Sequence, residues 1–161
     1  MGRNLLKLLL RQAGCVAVAA WTACAALLAQ EAPIVKGEWT ATAGPARVYR
    51  GKWVGQALPP GQPNALHGSW TLSGETGEAV LSGTWSARKA GRGLQGTWSA
   101  QDQYGRSVSG RWRAASPELT GRSLQEILEL SLEGTIAGTW RSGGLSGNWW
   151  IKGSSATRSG G

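Results

Sequence analysis

The chain lacks several residue types that commonly build functional sites. It has no phenylalanine, one methionine and one histidine, and its two cysteines, Cys15 and Cys24, both lie near the amino terminus. Beyond Cys24 no thiol is left for a disulfide or a thiolate metal site. A single histidine without spaced ligand partners gives no metal-binding pattern either. We therefore expect the folded part of the chain to be stabilised by packing alone.

Candidates for acid–base chemistry are also few. His67 falls on the polar face of its segment, and Glu75 and Glu78 flank a predicted turn instead of facing each other across a cleft. No glycine-rich segment has the sequence of a nucleotide-binding loop. We therefore predict no catalytic residue, no metal and no cofactor, and a function other than catalysis.

Residues 1–30 have the layout of a secretory signal peptide. Arg3, Lys7 and Arg11 precede an apolar, alanine-rich run at 13–29, and a polar break follows it. Because this run is short for a membrane span of about 20 residues, a cleaved signal is favoured over an uncleaved anchor. The sequence thus predicts an exported protein, periplasmic or secreted, and leaves association with an outer membrane open. Removing three basic residues and no acidic one lowers the formal charge from +8 to +5.

What the chain has in abundance is glycine and tryptophan, with 25 and ten residues. They recur together as Gly-x-Trp, an apolar or aromatic residue stands four positions before each Trp, and the residues between are mostly polar. A period of two indicates a β-strand with one buried face. We predict a repeat domain at 31–153 and a flexible tail at 154–161. The eight motifs are Gly37/Trp39, Gly51/Trp53, Gly68/Trp70, Gly83/Trp85, Gly96/Trp98, Gly110/Trp112, Gly138/Trp140 and Gly147/Trp149.

The spacing of the motifs suggests how neighbouring strands pair. If each Trp lies opposite the Gly of the next strand, every hairpin centres on turn residues, such as Ala90-Gly91 between Trp85 and Gly96. The indole would then cover the bare backbone of its partner, whereas two directly opposed Trp side chains would crowd a small interior. The other predicted centres are Pro45, Pro60-Gly61, Thr76-Gly77, Tyr104 and Gly143-Gly144.

The predicted fold is all-β. It is an up-and-down antiparallel meander of about eight strands, with a closed small barrel favoured over a two-sheet sandwich because closure removes exposed edges. The interval between Trp112 and Trp140 is twice the usual period, and Ser123 with Glu126 forms a capping-box pattern that predicts a short helix. This insertion, at 116–133, is a candidate lid over one end. A closed barrel requires a staggered register, which the level Gly–Trp pairing does not supply.

Gly37-Glu38-Trp39 on the first strand of a small exported meander resembles the avidin and lipocalin group, in which a Gly-x-Trp motif begins the barrel. The resemblance implies a barrel fold and a capacity to bind a ligand, and it carries no site residues. At the same level the chain is similar to small barrel-shaped protease inhibitors of the bacterial periplasm.

Binding is the function class that the sequence favours. Indoles near a barrel mouth can stack on a planar or apolar ligand, and Trp150 lies on the polar face, where it could contact a protein partner together with Lys52, Arg111, Arg113 and Arg141. An export signal disfavours nucleic acid as the partner. The alternative is a structural or outer-membrane-associated barrel without a small-molecule ligand. The candidate ligand-binding residues are Tyr49, Trp112, Trp140, Trp149 and Trp150.

Overall fold

The computed structural model describes residues 32–58, 65–102 and 104–157, so the predicted signal segment lies outside the described residues. None of the helices in these ranges is long and apolar enough to cross a membrane. The strands are β1 (Ile34–Ala43), β2 (Arg47–Ala57), β3 (Ala65–Ser73), β4 (Ala79–Ala90), β5 (Gly93–Asp102), β6 (Ser107–Ala115), β7 (Thr135–Ser142) and β8 (Leu145–Thr157), and between β6 and β7 lie a 3₁₀ turn (Pro117–Leu119) and the helix α1 (Leu124–Glu133).

The eight strands form a closed antiparallel barrel. Each strand pairs with the next one in the chain, and β1 also pairs with β8, so no strand of the sheet is left as an edge. This confirms the predicted meander barrel over the sandwich. The turns after β1, β3, β5 and β7 lie at one end, which we call the mouth. The turn between β4 and β5 and the insertion with α1 lie at the other, which we call the helix end.

The period of two places every Gly-x-Trp motif on the inner face of the wall. Along β8, for example, Ser146, Asn148 and Trp150 are exposed while Gly147 and Trp149 are partly covered. β8 extends to Thr157, which pairs with Ile34. Residues 154–157 of the predicted flexible tail therefore belong to a strand, and residues 158–161 lie outside the described part of the chain.

Within the hairpins that turn at the mouth, the predicted level pairing of Gly with Trp is correct. Gly44, Gly77, Gly105 and Gly143 have positive φ in these turns, as tight connections require. The connection from β3 to β4 is longer than the two residues expected, because the register shifts after Leu72. The confirmed pairs are Trp39 with Gly51, Trp70 with Gly83, Trp98 with Gly110 and Trp140 with Gly147.

Elsewhere the prediction of level pairing is wrong. Trp85 lies opposite Trp98 and not opposite Gly96, and the tight turn is formed by Gly91 and Arg92. Trp53 likewise faces Trp70 in place of Gly68, while the turn predicted at Pro60-Gly61 lies outside the described residues. In these two strand pairs the register differs by two residues from the predicted Gly–Trp pairing, because a closed barrel has to stagger its strands.

Helix α1 closes the helix end. Its amino terminus is the predicted capping box: the Ser123 hydroxyl accepts from the Glu126 N–H at 3.2 Å, and the Glu126 carboxylate accepts from the Ser123 N–H at 2.6 Å. The helix then packs closely over Gly153 of β8. Its buried side chains join the strand ends in a single apolar core, to which Leu124, Ile127 and Leu128 contribute from the helix and Val35, Leu66, Leu94 and Ile136 from the strands.

Candidate functional site

The interior between the indoles and the mouth is an apolar cavity of about 360 Å³. All eight tryptophans of the repeat line it, and the rest of its wall comes mainly from the mouth half of the barrel. Most of these indoles remain only partly covered although they point into the barrel. The barrel is therefore filled at the helix end and hollow toward the mouth. The non-tryptophan lining residues are Ala41, Tyr49, Leu72, Leu81, Val108, Ser142, Leu145 and Ile151.

The position of Trp39 shows what holds an indole against the wall. Its ring lies over Gly51 of β2, where a Cβ atom would stand only 2.7 Å from the indole nitrogen. The Nε1–H points past that glycine to the next strand and donates a 2.9 Å hydrogen bond to the carbonyl oxygen of Thr71 on β3. The same carbonyl oxygen occupies the space that a Gly51 Cβ would need. Only glycine fits, because an indole and a main-chain oxygen meet over its Cα atom.

Three further indoles follow the same rule. In each case the carbonyl oxygen that accepts from the indole is the one that fills the Cβ space of the glycine paired with that Trp. In these four motifs the glycine thus lets a main-chain oxygen approach closely enough to accept from a partly buried indole N–H. These three bonds run from Trp53 to Lys152 at 3.4 Å, from Trp85 to Val54 at 3.0 Å and from Trp140 to Thr42 at 2.9 Å.

The indoles contact one another across alternate strands. Opposed residues such as Trp53 and Trp70 do not crowd the interior, because each leans toward the indole of the strand beyond, Trp85 and Trp39 respectively. The expectation that opposed Trp side chains would not fit is thus wrong. Alternate strands supply two series of edge-to-face contacts, Trp39–Trp70–Trp98–Trp140 and Trp53–Trp85–Trp112–Trp149, with ring centroids 5.3–6.3 Å apart.

Polar groups on the cavity wall are sparse. The Ser142 hydroxyl is engaged, since it donates a 2.6 Å hydrogen bond to the Ser109 carbonyl oxygen. Tyr49 supplies a phenol near the mouth. The indole N–H groups of Trp39, Trp85 and Trp140 are bonded to the backbone. The wall is thus suited to apolar and aromatic surface and carries no charged side chain among its lining residues.

The apolar residue four positions before each Trp has two different environments. On the odd-numbered strands these residues lie at the helix end under α1, and their exposed fractions are 6 % or less. On the even-numbered strands they form a ring at the mouth, where Val108 is 39 % and Leu145 is 51 % exposed. The repeat therefore builds an apolar ring at both ends, and the helix covers only one. The mouth ring is Tyr49, Leu81, Val108 and Leu145.

Of the candidate ligand-binding residues, the cavity brings together Tyr49, Trp112, Trp140 and Trp149. Trp150 does not belong to this group, because it lies on the outer wall opposite Thr40 and Ala137 on the adjacent strands. Of the mouth ring, the sequence assigned only Tyr49 to the site and missed Leu81, Val108 and Leu145. The apolar position of the repeat marked those residues, but only the register and the place of the helix distinguish the covered ring from the open one.

Of the candidates for acid–base chemistry, His67 and Glu78 form hydrogen bonds within the outer wall and its turns. The imidazole of His67 lies 3.0 Å from the Gln56 amide nitrogen on the outer wall. Glu78 lies in the turn after β3, and the hydrogen bond from the Thr76 hydroxyl lowers the pKa of its carboxyl. Across 32–58, 65–102 and 104–157, no three His, Cys, Asp or Glu side chains are grouped as a metal site would require.

The outer wall carries the basic residues. Arg111 and Arg141 lie directly opposite each other on β6 and β7, and Arg113 lies beside them with its Nε 3.4 Å from the Thr139 hydroxyl. Like charges placed opposite each other are unfavourable in a sheet.

Comparison of the chain with family models, with curated proteins and with solved structures gives no match.

Proposed function

We propose that this protein is an exported, non-enzymatic barrel that binds a small apolar ligand in the tryptophan-lined cavity. The observation that carries the proposal is a hollow of about 360 Å³, lined by eight indoles and open at the mouth. Cavities of this size with apolar and aromatic walls are typical small-molecule sites. Export rests on the composition of residues 1–30 and ligand binding on the cavity.

The lining argues for a neutral ligand with aromatic or other apolar surface. Burying apolar surface contributes about 25 cal/mol for each Å² removed from water. An ionised group would lose its hydration without finding a partner on this wall, which is costly. Indole edges and faces favour planar rings, which can extend the edge-to-face contacts already present between the side chains.

The alternative is a barrel in which the repeat serves stability alone. The indole–carbonyl bonds and the edge-to-face contacts support it, since they would stabilise an empty barrel equally well. The outer wall does not favour a lipid-embedded version: Thr84, Ser86 and Thr97 are exposed there, whereas membrane barrels present an apolar band outward. The two functions differ in whether the cavity binds anything.

Binding of a neutral planar probe, N-phenyl-1-naphthylamine, separates them. We expect the probe to quench tryptophan emission saturably, and Leu145→Glu to weaken its binding at least about tenfold because it places a charge in the mouth. The matched control is Ser146→Glu, since Ser146 is the next residue on β8 and points outward. A panel of planar and linear apolar probes that leaves the emission unchanged, or equal affinity in Leu145→Glu, would contradict the proposal.

A further inference from the structure

Exposed large apolar side chains are concentrated at one end of the barrel. Six such residues are exposed in the described part of the chain, and five of them lie at the mouth, while Trp150 lies on the outer wall. A chance scatter of single apolar residues would not select one rim. The mouth residues are Val48, Val80, Tyr104, Val108 and Leu145.

This rim is continuous with the cavity. Val108 and Leu145 face inward and line the cavity, while Val48 and Val80 are at the starts of β2 and β4 and face outward. Tyr104 is in the turn between β5 and β6, where the Arg106 guanidinium lies 5.5 Å from its ring centre. An apolar surface thus extends from the indoles over the lip to the outside of the barrel.

The charges on the same hairpins are of both signs. Arg47 follows the first turn, Glu75 and Glu78 lie in the second, and in the third Arg106 forms an ion pair with Asp102 at 2.6 Å. A rim of mixed charge around exposed apolar groups complements a surface that also carries both signs above an apolar interior. A tyrosine at such a boundary has the amphipathic character that favours the membrane–water interface.

We infer that the mouth docks on a lipid bilayer with zwitterionic headgroups. The apolar rim enters the interface, the paired charges lie among the headgroups, and the cavity opens toward the acyl chains. Passage of an apolar ligand between bilayer and cavity without crossing water rests on the proposed function. The docking itself does not depend on it.

The test is co-sedimentation of the protein, as its producing cell releases it, with phosphatidylcholine vesicles. We expect binding that the double variant Val48→Ser/Val80→Ser weakens at least about tenfold, because less apolar surface is buried. Neither valine lines the cavity, so binding of N-phenyl-1-naphthylamine should not change. The matched control is Trp150→Ser, which removes an exposed apolar side chain from the wall and should bind vesicles as the parent does. Near-ultraviolet circular dichroism checks that each variant keeps its packing.

Several results would overturn the inference. They are no binding to phosphatidylcholine, equal binding by the double variant, and binding only to anionic vesicles that salt abolishes, which would place the contact on the arginines of the wall. A mouth-to-mouth dimer in sedimentation, with no vesicle binding, would make a second copy the occupant of the rim. Probe binding without vesicle binding refutes the docking and keeps the proposed function, and vesicle binding without probe binding does the reverse.

Discussion

At each glycine of the repeat, other atoms occupy the space that a side chain would need. At Gly51 the Trp39 indole and the Thr71 carbonyl oxygen use the volume that any side chain would take. Sequence reasoning found the pairing of Trp with Gly, because small and large residues complement each other across a sheet. It did not find the carbonyl acceptor, which belongs to a third strand. That contact depends on the register of three neighbouring strands and not on the two residues of the motif.

Substituting Gly51 by Ala should therefore destabilise the fold by about 1–3 kcal/mol or more, because the Cβ overlaps a main-chain oxygen and displaces an indole. Urea unfolding followed by tryptophan emission measures the change. Gly144→Ala is the control: nothing lies within 4 Å of the added Cβ, and we expect a change within about 0.5 kcal/mol. Equal costs at the two sites would disprove the packing role assigned to Gly51.

At the scale of elements, the hairpins at the mouth were predictable and the pairings at the helix end were not. The turn glycines and the Gly–Trp rule agree between Trp98 and Gly110, so the register followed from local residues. Between β4 and β5 they agree on a turn that is one residue too early, and this small shift moves the register by two. Gly91 suits either turn, and the choice is made by the stagger that closure of all eight strands requires.

Helix α1 offers a test at the same scale. The Ser123 backbone N–H donates a hydrogen bond to the Glu126 carboxylate. This bond, and secondarily a hydrogen bond with the Ser123 side chain, lowers the pKa of the Glu126 carboxyl below its ordinary value of 4.5. A group with a lowered folded pKa contributes stability above the unfolded pKa, and that contribution is lost as the pH falls through the folded value. Replacing Glu126 by Ala should therefore lower the free energy of unfolding by its largest amount at pH 7, and this loss should become smaller below about pH 4.5.

Ser123→Ala removes the other half of the capping box and should cost about 1 kcal/mol at pH 7. Urea unfolding at several pH values provides both measurements. Gln125→Ala, on the exposed face of the same helix and outside the box, should change the stability by less than about 0.5 kcal/mol. A cost of Glu126→Ala that does not vary between pH 7 and pH 3 would contradict the role of its carboxylate.

At the scale of the whole molecule, the two ends of the barrel differ although the repeat treats them alike. Val35 and Leu66 are buried beneath α1, while Val108 and Leu145 are exposed at the mouth, and all four occupy the same position of the motif. The sequence predicted a lid from the insertion but could not say which end it covers or what remains hollow. Both depend on strand direction in the closed barrel. Because neighbouring strands run in opposite directions, the apolar position of the motif lies at the helix end on one strand and at the mouth on the next.

The helix should then act as a plug on which the whole barrel depends. Ile127 is almost fully buried in the apolar core that α1 forms with the ends of the strands. Truncating it to Ala leaves a cavity where those strands meet, and we expect a loss of about 2–5 kcal/mol, against about 0.5–1.5 for Ile127→Val. Because the strands are joined in one closed sheet, unfolding should remain a single transition at a lower urea midpoint. Amide exchange distinguishes this from local opening: faster exchange confined to α1, with unchanged global stability, would show that the barrel stands without its plug.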